Sequence, residues 1–200
     1  HGFNGLSRKG EGAGQSSYYY SFTDLETRGK IITDRAGAAV PVSGTSWFDQ
    51  EFGSNQLAGD QIGWDWFGVH LSDGRDLMLY FLRKRDGARE AASSGTLVEK
   101  SGRTRHLALA EIGIEVLSHW KSEKSGGRYP SRWRIRIPAA GVDLTLATLI
   151  PGQELDTGSS AGVVYYEGAI GGKGLSAGHA VTVEGYVEMT GYAGSLGGLF

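Results

Sequence analysis

The sequence predicts an all-β fold, an antiparallel barrel or sandwich of many short strands joined by tight, glycine-rich turns. Glycine accounts for 33 of the 200 residues, and a glycine inside a helix costs about 1 kcal/mol relative to alanine. Apolar and polar residues alternate with a period of two along much of the chain, and Asp-Gly pairs, which favour hairpin turns, separate several alternating segments. No segment has the spacing of a strand–helix–strand unit.

The alternating segments define the predicted strands in chain order. Residues 64–71 and 76–83 are separated by an Asp-Gly turn at 73–74, and a second such turn follows at 86–87. Residues 111–120 are less regular and predict either a strand or a short helix. Further strands are predicted at 17–23, 96–99, 104–109, 132–137, 142–149, 163–170 and 181–190. Strands at this spacing are typical of an antiparallel barrel or sandwich.

One domain is predicted, because 200 residues with 40% hydrophobic content are enough for a single core. Residues 17–192 are assigned to this barrel domain. Residues 1–16, rich in Gly, Ser, Arg and Lys, are predicted to be a linker, and residues 193–200 a C-terminal tail.

Charge and residue usage argue against several classes of function. The 20 Lys and Arg residues are balanced by 22 Asp and Glu residues, so the chain lacks the basic field that nucleic-acid binding usually needs. It contains no cysteine, which excludes disulfides and thiol chemistry. Its five histidines have no HxH or HExxH spacing, so no metal site is expected. The longest apolar runs are far shorter than the about 20 residues of a membrane-spanning helix.

A candidate acid–base site lies in the segment 44–53. In an extended chain Trp47, Asp49 and Glu51 share one side, and Gln50 faces the other. Two carboxylates beside an indole can form an acid–base pair when burial raises the pKa of one carboxyl group. The same spacing suits a solvated strand face with structural salt bridges. Both interpretations stay open at this point.

The last predicted strand poses a similar choice. Thr182, Glu184, Tyr186 and Glu188 share one face, and valines occupy the other. If the apolar face packs on another element, the polar face could line a barrel interior, where Glu and Tyr would bind or protonate a ligand. If the polar face points to water, it is an ordinary outer surface.

Eight short segments, taken together and in order, resemble one known family. They are NGLSRKG (4–10), SYYYS (17–21), GTSWFDQEF (44–52), GWDWF (63–67), YPSRW (129–133), QEL (153–155), YYEG (165–168) and GYVEMTGY (185–192). In these segments the chain resembles the carotenoid 1,2-hydratase (hydroxyneurosporene synthase) and AttH-like family. The resemblance covers nearly the whole chain.

The resemblance implies a lipocalin-like β-barrel, or calyx, in a family whose members have two such lobes. Residues 1–16 would then be the end of a missing upstream lobe. The better-known activities of the family are hydration of a terminal isoprenoid double bond and, in fungal relatives, intramolecular Diels–Alder cyclisation, with no metal or organic cofactor. The resemblance also implies a periplasmic, secreted or membrane-associated location.

Residues and resemblance together favour an enzyme that acts on an apolar isoprenoid, polyene or acyl substrate inside the barrel, by carboxyl-assisted hydration or hydrolysis. Aromatic walls would stabilise a developing carbocation, and a desolvated carboxyl group would supply the proton. The predicted catalytic residues are Asp49, Glu51, Asp65 and Glu188. The predicted substrate-binding residues are Trp47, Gln50, Trp64, Trp66, Tyr80, Tyr166, Glu167 and Tyr186.

The alternatives are a lipocalin-like carrier of a lipid or isoprenoid that performs no chemistry, and a pericyclase-type (Diels–Alder) relative. The family pattern reads Trp-x-Asp-His-Glu-Trp, and Gln50 and Phe52 stand where its His and second Trp would be. Glutamine does not transfer protons as histidine does. This departure from the family pattern motivates the carrier hypothesis.

Residues 17–23 predict a strand with an aromatic face made of Tyr18, Tyr20 and Phe22. Soluble proteins generally cover or pair such an apolar edge. We therefore expect this strand to dock on an upstream lipocalin-like lobe, present as a separate chain, or on a second copy of the chain in a homodimer.

Overall fold

The computed structural model describes residues 1–33, 37–53, 57–157, 162–194 and 196. Within these residues the chain forms thirteen strands and two single-turn 3-10 helices, Leu109–Glu111 and Pro138–Ala140. The strands are β1 (Leu6–Arg8), β2 (Ser16–Ile32), β3 (Ala39–Phe52), β4 (Gln61–Leu71), β5 (Asp76–Lys84), β6 (Ser94–Val98), β7 (Thr104–Ala108), β8 (Gly113–Lys121), β9 (Arg128–Ile137), β10 (Val142–Thr148), β11 (Glu154–Asp156), β12 (Val164–Ser176) and β13 (His179–Thr190). None of the described residues belongs to a helix long and apolar enough to cross a membrane.

The strands form two antiparallel sheets. The smaller sheet has the order β1-β2-β3 and consists mainly of the long hairpin of β2 and β3. The larger sheet follows the path β7-β6-β5-β4-β13-β12-β10-β9-β8, and β11 pairs with β12 beside that path. In the described part of the chain its end strands, β7 and β8, do not pair with each other. The predicted antiparallel, lipocalin-like all-β fold is confirmed, as a curled half-barrel.

The inner face of the larger sheet forms the main core. Alternate residues of its strands point inward into one cluster, which joins Leu97 and Leu107 near one end of the path to Trp133 and Ile135 near the other. Side chains from opposite ends of a sheet can meet in this way only if the sheet curls. Val187 and the other valines of β13 belong to this core. The polar face of the last strand therefore points outward.

The turns predicted from Asp-Gly pairs are present. Gly74, after β4, and Gly87, after β5, both have a φ of 86°. Glycine adopts this left-handed conformation without the steric cost that a Cβ atom would bring. These turns return the chain antiparallel to the preceding strand.

Two segments differ from the sequence-based description. The sequence allows a strand or a short helix for residues 111–120. In the structure the first 3-10 helix ends at Glu111, and β8 begins at Gly113, so most of this segment is a strand. Residues 6–8, assigned to a linker, form β1, and the neighbouring Lys9 is buried. The predicted tail, 193–200, lies mostly outside the described residues.

Candidate active site

A cavity of about 270 Å³ lies between the β2–β3 hairpin and the outer face of the larger sheet. The sequence analysis expected the site inside the barrel, but apolar side chains fill the inner side of the curl. The cavity collects acidic, aromatic and basic side chains from both sheets. Its lining residues are Lys9, Tyr19, Asp49, Glu51, Trp64, Trp66, Tyr80, Leu82 and Glu188.

Strand alternation and pairing bring these residues together. Tyr19 of β2 is the cross-strand partner of Glu51 of β3, so both face the inner side of the hairpin. Tyr80, Trp66 and Glu188 are neighbours across the adjacent strands β5, β4 and β13. Tyr19 and Tyr80 also belong to a small apolar cluster where the hairpin meets the sheet. Packing between the two sheets therefore positions the cavity walls.

Asp49 accepts hydrogen bonds from three side chains. Trp47 Nε1 donates to one carboxylate oxygen over 2.7 Å, and the Tyr19 hydroxyl donates to the other over 2.9 Å. The Ser21 hydroxyl also donates to this carboxylate. Tyr19 in turn accepts a hydrogen bond of 2.8 Å from Trp66 Nε1. Asp49 thus joins the hairpin to the aromatic wall of the sheet.

Tyr19 keeps its phenolic proton in this network. Burial, together with the nearby Asp49 carboxylate, raises the pKa of Tyr19 well above its ordinary value. The phenol therefore acts as a hydrogen-bond donor to Asp49 rather than as a base.

Glu51 is held by a buried cation. Lys9 Nζ forms an ion pair with Glu51 and lies 4.5 Å from the ring centre of Tyr80. The Ser17 hydroxyl donates to the same carboxylate over 2.5 Å. Because the Lys9 side chain is only 8% exposed, its ammonium group forms part of the cavity wall. There it could donate a hydrogen bond to a ligand oxygen.

Glu167 and Glu188 form a carboxyl pair at the edge of the cavity. They are cross-strand partners in β12 and β13 and share a hydrogen bond. Burial, followed by the charge of Glu188, raises the pKa of Glu167 to about 7. Burial also raises the pKa of Glu188, which accepts a hydrogen bond of 2.6 Å from Trp64 Nε1. Since two carboxylates this close do not readily ionise together, the pair holds one proton near neutral pH.

This arrangement suits general acid catalysis on an apolar molecule. An acid with a pKa near 7 both retains its proton at neutral pH and releases it to a reacting group. The rings of Trp64, Trp66 and Tyr80 line the same space, and aromatic faces attract positive charge. Among the described residues no cluster of three or more His, Asp and Glu side chains is suited to hold a metal ion.

The carboxyl pair predicts a pH-dependent stability. The folded-state pKa of Glu167 lies above its ordinary value of 4.5, so the folded chain holds a proton that the unfolded chain has released. The free energy of unfolding should therefore fall as the pH rises from about 4.5 to about 7. In urea titrations near pH 8 we expect Glu167→Gln to be more stable than wild type by about 1 kcal/mol, after allowance for solvent screening.

Glu184→Gln is the matched control, because Glu184 is an exposed carboxylate on the same outer face of β13. This variant should lose stability with rising pH as wild type does. Near pH 4 the Glu167 carboxyl group is protonated in the folded chain and largely protonated in the unfolded chain, so Glu167→Gln and wild type should be about equally stable. An unchanged pH dependence in Glu167→Gln would show that Glu167 and Glu188 do not share a proton.

Asp65, a predicted catalytic residue, does not reach the cavity. The alternation that places Trp64 and Trp66 on the outer face of β4 sends Asp65 to the inner face. There it lies 3.2 Å from Arg83 Nε and accepts a hydrogen bond of 3.0 Å from the Tyr192 hydroxyl. Burial raises the pKa of Asp65, while Arg83 and Tyr192 favour its ionised form. The structure assigns Asp65 to a buried ion pair.

Tyr166 and Gln50 also lie away from the cavity. Tyr166 is buried in the inner core against Trp120 and Tyr129. Gln50 is exposed on the outer side of the hairpin, as the cross-strand partner of Tyr20. Of the other nine predicted residues, six line the cavity: Asp49, Glu51, Trp64, Trp66, Tyr80 and Glu188. The remaining three are linked to these by hydrogen bonds: Trp47 binds Asp49, and Glu167 binds Glu188 and Tyr186.

Several residues of the site were not predicted from the sequence. Lys9, Ser17, Tyr19 and Ser21 all bind one of the two hairpin carboxylates. The alternation in residues 17–23 could have identified two of them, because it places Tyr19 and Ser21 on the face opposite the predicted aromatic face. Pairing of this strand with the segment around Asp49 would have brought them to the site.

The outer side of the hairpin carries an exposed aromatic face, made of Tyr18, Tyr20, Phe22, Phe48 and Phe52. Each of these side chains is between 42% and 56% exposed. Tyr18 stacks on Phe52, and the rings of Tyr20, Phe22 and Phe48 contact one another. The aromatic face predicted for residues 17–23 is confirmed. Contiguous exposed apolar surfaces of this kind are uncommon on monomeric proteins.

Comparison with known proteins adds a family assignment. A family model described as AttH-like matches residues 1–192. A crystal structure from Nitrosomonas europaea, assigned to AttH, superposes with a TM-score of 0.85 at 36% sequence identity, covering 96% of this chain and 57% of that one. Kievitone hydratase from Nectria haematococca superposes with a TM-score of 0.76 at 21% identity and the same coverage. No curated protein matches the chain.

The curled sheet, the covering hairpin and the acidic, aromatic cavity between them define an all-β protein of lipocalin-like architecture. The chain belongs to the AttH-like family. It spans just over half the length of the two solved structures that it matches. The family match confirms the AttH-like part of the resemblance. It does not extend to the carotenoid 1,2-hydratase activity that the resemblance suggests.

Proposed function

We propose that the chain is a cofactor-independent, hydratase-type enzyme that adds water to a carbon–carbon double bond of an apolar isoprenoid substrate. The observation that carries the proposal is the carboxyl pair, in which Glu188 lines the cavity beside Trp64 and Trp66. Membership of the AttH-like family and the fold shared with a kievitone hydratase support it.

The proposed reaction balances without a co-reactant. The π electrons of the alkene form a bond to the proton held by the carboxyl pair, which Glu188 delivers. The faces of Trp64 and Trp66 stabilise the positive charge on the adjacent carbon. A lone pair of water then forms the carbon–oxygen bond, and one water proton returns to the ionised pair. The product is an alcohol, and the pair is regenerated.

The proposal is tested by incubating the protein with a panel of polyenes, terpenoids and short acyl esters and analysing the products by mass spectrometry. We expect a product heavier than a terpenoid alkene by one water. Ester cleavage alone would favour a hydrolase, and a panel without any product would reject an enzyme of either kind.

A carrier of lipids or isoprenoids is the second candidate function, and Gln50 is the observation that favours it. The family pattern has histidine at this position, and glutamine is not a proton donor at neutral pH. A carrier would show quenching of tryptophan fluorescence by apolar ligands without any change in their mass.

We further propose that a second lipocalin-like lobe or a second copy of the chain covers the aromatic face in the functional protein. The matched solved structures are longer than this chain, and Gln50 lies among the exposed rings. Covering this face would enclose Gln50, at the position of the family histidine, in a second apolar space.

Self-association follows as an expected result for the chain alone. Light scattering should report a species larger than 21.4 kDa. The five exposed rings of the aromatic face favour association, because association removes their apolar surface from water. The double variant Tyr20→Ser, Phe22→Ser should be monomeric. A wild-type monomer whose Tyr18 and Tyr20 resist nitration would show that the chain covers this face by itself.

A further inference from the structure

A groove beside the cavity contains a histidine that the proposed reaction does not use. The groove has a volume of about 360 Å³ and lies on the outer face of the larger sheet, and His70 is among its lining residues. Trp66 lines both the groove and the cavity, and Trp47, which lines the groove, binds Asp49 of the cavity wall. Trp66 lies over Gly68, where a Cβ atom would come within 2.5 Å of the indole ring. The two spaces therefore meet at a shared aromatic wall.

His70 forms a hydrogen-bonded pair with Asp76. The distance from His70 Nδ1 to Asp76 Oδ1 is 2.8 Å, and the imidazole centre lies 5.5 Å from the ring centre of Trp47. Within the described part of the chain, no hydrogen bond is made by His70 Nε2. The hydrogen bond to Asp76 raises the pKa of His70, which favours an imidazole that carries a proton on Nε2 as well.

The charges around His70 select against an anionic ligand. Asp76 on β5, Asp24 on β2 and Glu184 on β13 all act on the imidazole. These three carboxylates would repel a phosphate or carboxylate group in the groove. An uncharged oxygen atom would accept a hydrogen bond from Nε2 without this penalty. The chemistry of the groove therefore suits an alcohol or carbonyl oxygen.

His70 lies on the same strand face as Trp66, the neighbour of the proposed acid. Trp66, the cross-strand partner of Glu188, and His70 are four residues apart on the same face of β4. At about 3.4 Å per residue they are separated by roughly 14 Å along the strand. Trp47 contacts both rings, with centre distances of 5.9 Å to Trp66 and 5.5 Å to His70. An apolar wall thus connects the carboxyl pair to the histidine.

We propose that His70 and Asp76 form a second substrate subsite, which binds an uncharged hydroxyl or carbonyl group beyond Trp66, at the groove end of the shared aromatic wall. This inference rests on the proposed function and names its substrate class, an extended, uncharged terpenoid with a polar end group. The cavity alone, at about 270 Å³, is smaller than the usual range of about 300 to 1,000 Å³ for ligand sites. The groove, at about 360 Å³, falls within that range, and Trp66 lines both spaces.

The test measures binding by quenching of tryptophan fluorescence, without turnover. The probes are farnesol, an uncharged terpenoid alcohol, farnesene, its hydrocarbon counterpart, and farnesyl phosphate. For wild type we expect a Kd for farnesol at least about tenfold lower than for farnesene, the effect of one hydrogen bond from a charged donor. Farnesyl phosphate should bind more weakly than farnesol.

Two variants assign the preference to the pair. His70→Phe retains a ring and should abolish the difference between farnesol and farnesene, whereas His119→Phe, at an exposed histidine on β8, should retain it. Asp76→Asn retains the imidazole and should reduce the preference. These variants are compared with wild type only where circular dichroism shows an unchanged fold.

Equal wild-type affinities for farnesol and farnesene, no binding of either, or a preference for the phosphate would each overturn the inference. So would a preference for farnesol that survives in His70→Phe. If the preference depends on His70 but no water addition is found, the subsite stands and the proposed reaction fails. The two proposals are therefore separated by one set of measurements.

Discussion

Replacing Glu188 by glutamine is expected to lower the rate of water addition at least about a hundredfold, within the range that general acid catalysis contributes. The glutamine side chain has nearly the same shape, and its carbonyl oxygen can still accept the hydrogen bond from Trp64 Nε1. It cannot deliver a proton to an alkene. The measurement is kcat for conversion of a terpenoid alkene to its alcohol, followed by mass spectrometry.

Glu115→Gln is the control for this experiment. Glu115 is an exposed carboxylate on β8 and lines neither the cavity nor the groove. Its replacement should leave kcat within about twofold of wild type, as expected for a surface substitution away from the chemistry. Full activity in Glu188→Gln would remove the carboxyl pair from the mechanism.

Replacing Asp65 by asparagine is expected to destabilise the fold by about 3 kcal/mol, because it removes one partner of a buried ion pair. Arg83 would lose the carboxylate that lies 3.2 Å from its Nε atom. Its guanidinium group would remain 3.8 Å from the ring centre of Tyr192, without a countercharge at that position. The measurement is the free energy of unfolding in urea.

Asp143→Asn provides the comparison, because Asp143 pairs with Arg134 on the surface and both side chains are more than a third exposed. This substitution should cost less than about 1 kcal/mol. If Asp65→Asn were as stable as wild type and lost only activity, the catalytic role predicted for Asp65 from the sequence would be correct and the structural role wrong.

The strands of the larger sheet could be predicted because their two faces differ in polarity. Segment 132–137 alternates Trp133, Ile135 and Ile137, which are buried, with three exposed arginines. In contrast, strand β2 extends well beyond the predicted segment 17–23 and ends at Ile32. Residues 24–32 are exposed on both faces, so burial imposes no alternation on them.

The candidate site was predicted in part, because local spacing identifies which residues share a face but not what that face packs against. The sequence grouped Asp49 with Glu51 and Trp64 with Trp66, and the structure brings both pairs to one cavity. It could not decide whether the polar face of β13 lines a ligand site or points to water. That depends on the hairpin covering the outer face of the sheet, a contact between residues distant in the chain.

The same reasoning explains the misplaced residues. Asp65 was grouped with its neighbours Trp64 and Trp66 because of chemical type, although strand alternation separates it from them. Tyr166 and Glu167 were both assigned to substrate binding, and they lie on opposite faces of β12. The cross-strand pairing of Glu167 with Glu188 depends on the register of β12 and β13, which neither strand's sequence specifies alone.

The central claim is that the proton of the carboxyl pair drives water addition in the cavity between the two sheets. The most direct test is the pH dependence of kcat/KM for hydration of a terpenoid alkene, which reports the essential acid of the free enzyme. Because the pKa of Glu167 is raised to about 7, we expect a rate that falls about tenfold per pH unit above pH 7. A rate that stays constant or rises from about pH 7 to about pH 9 would contradict this mechanism.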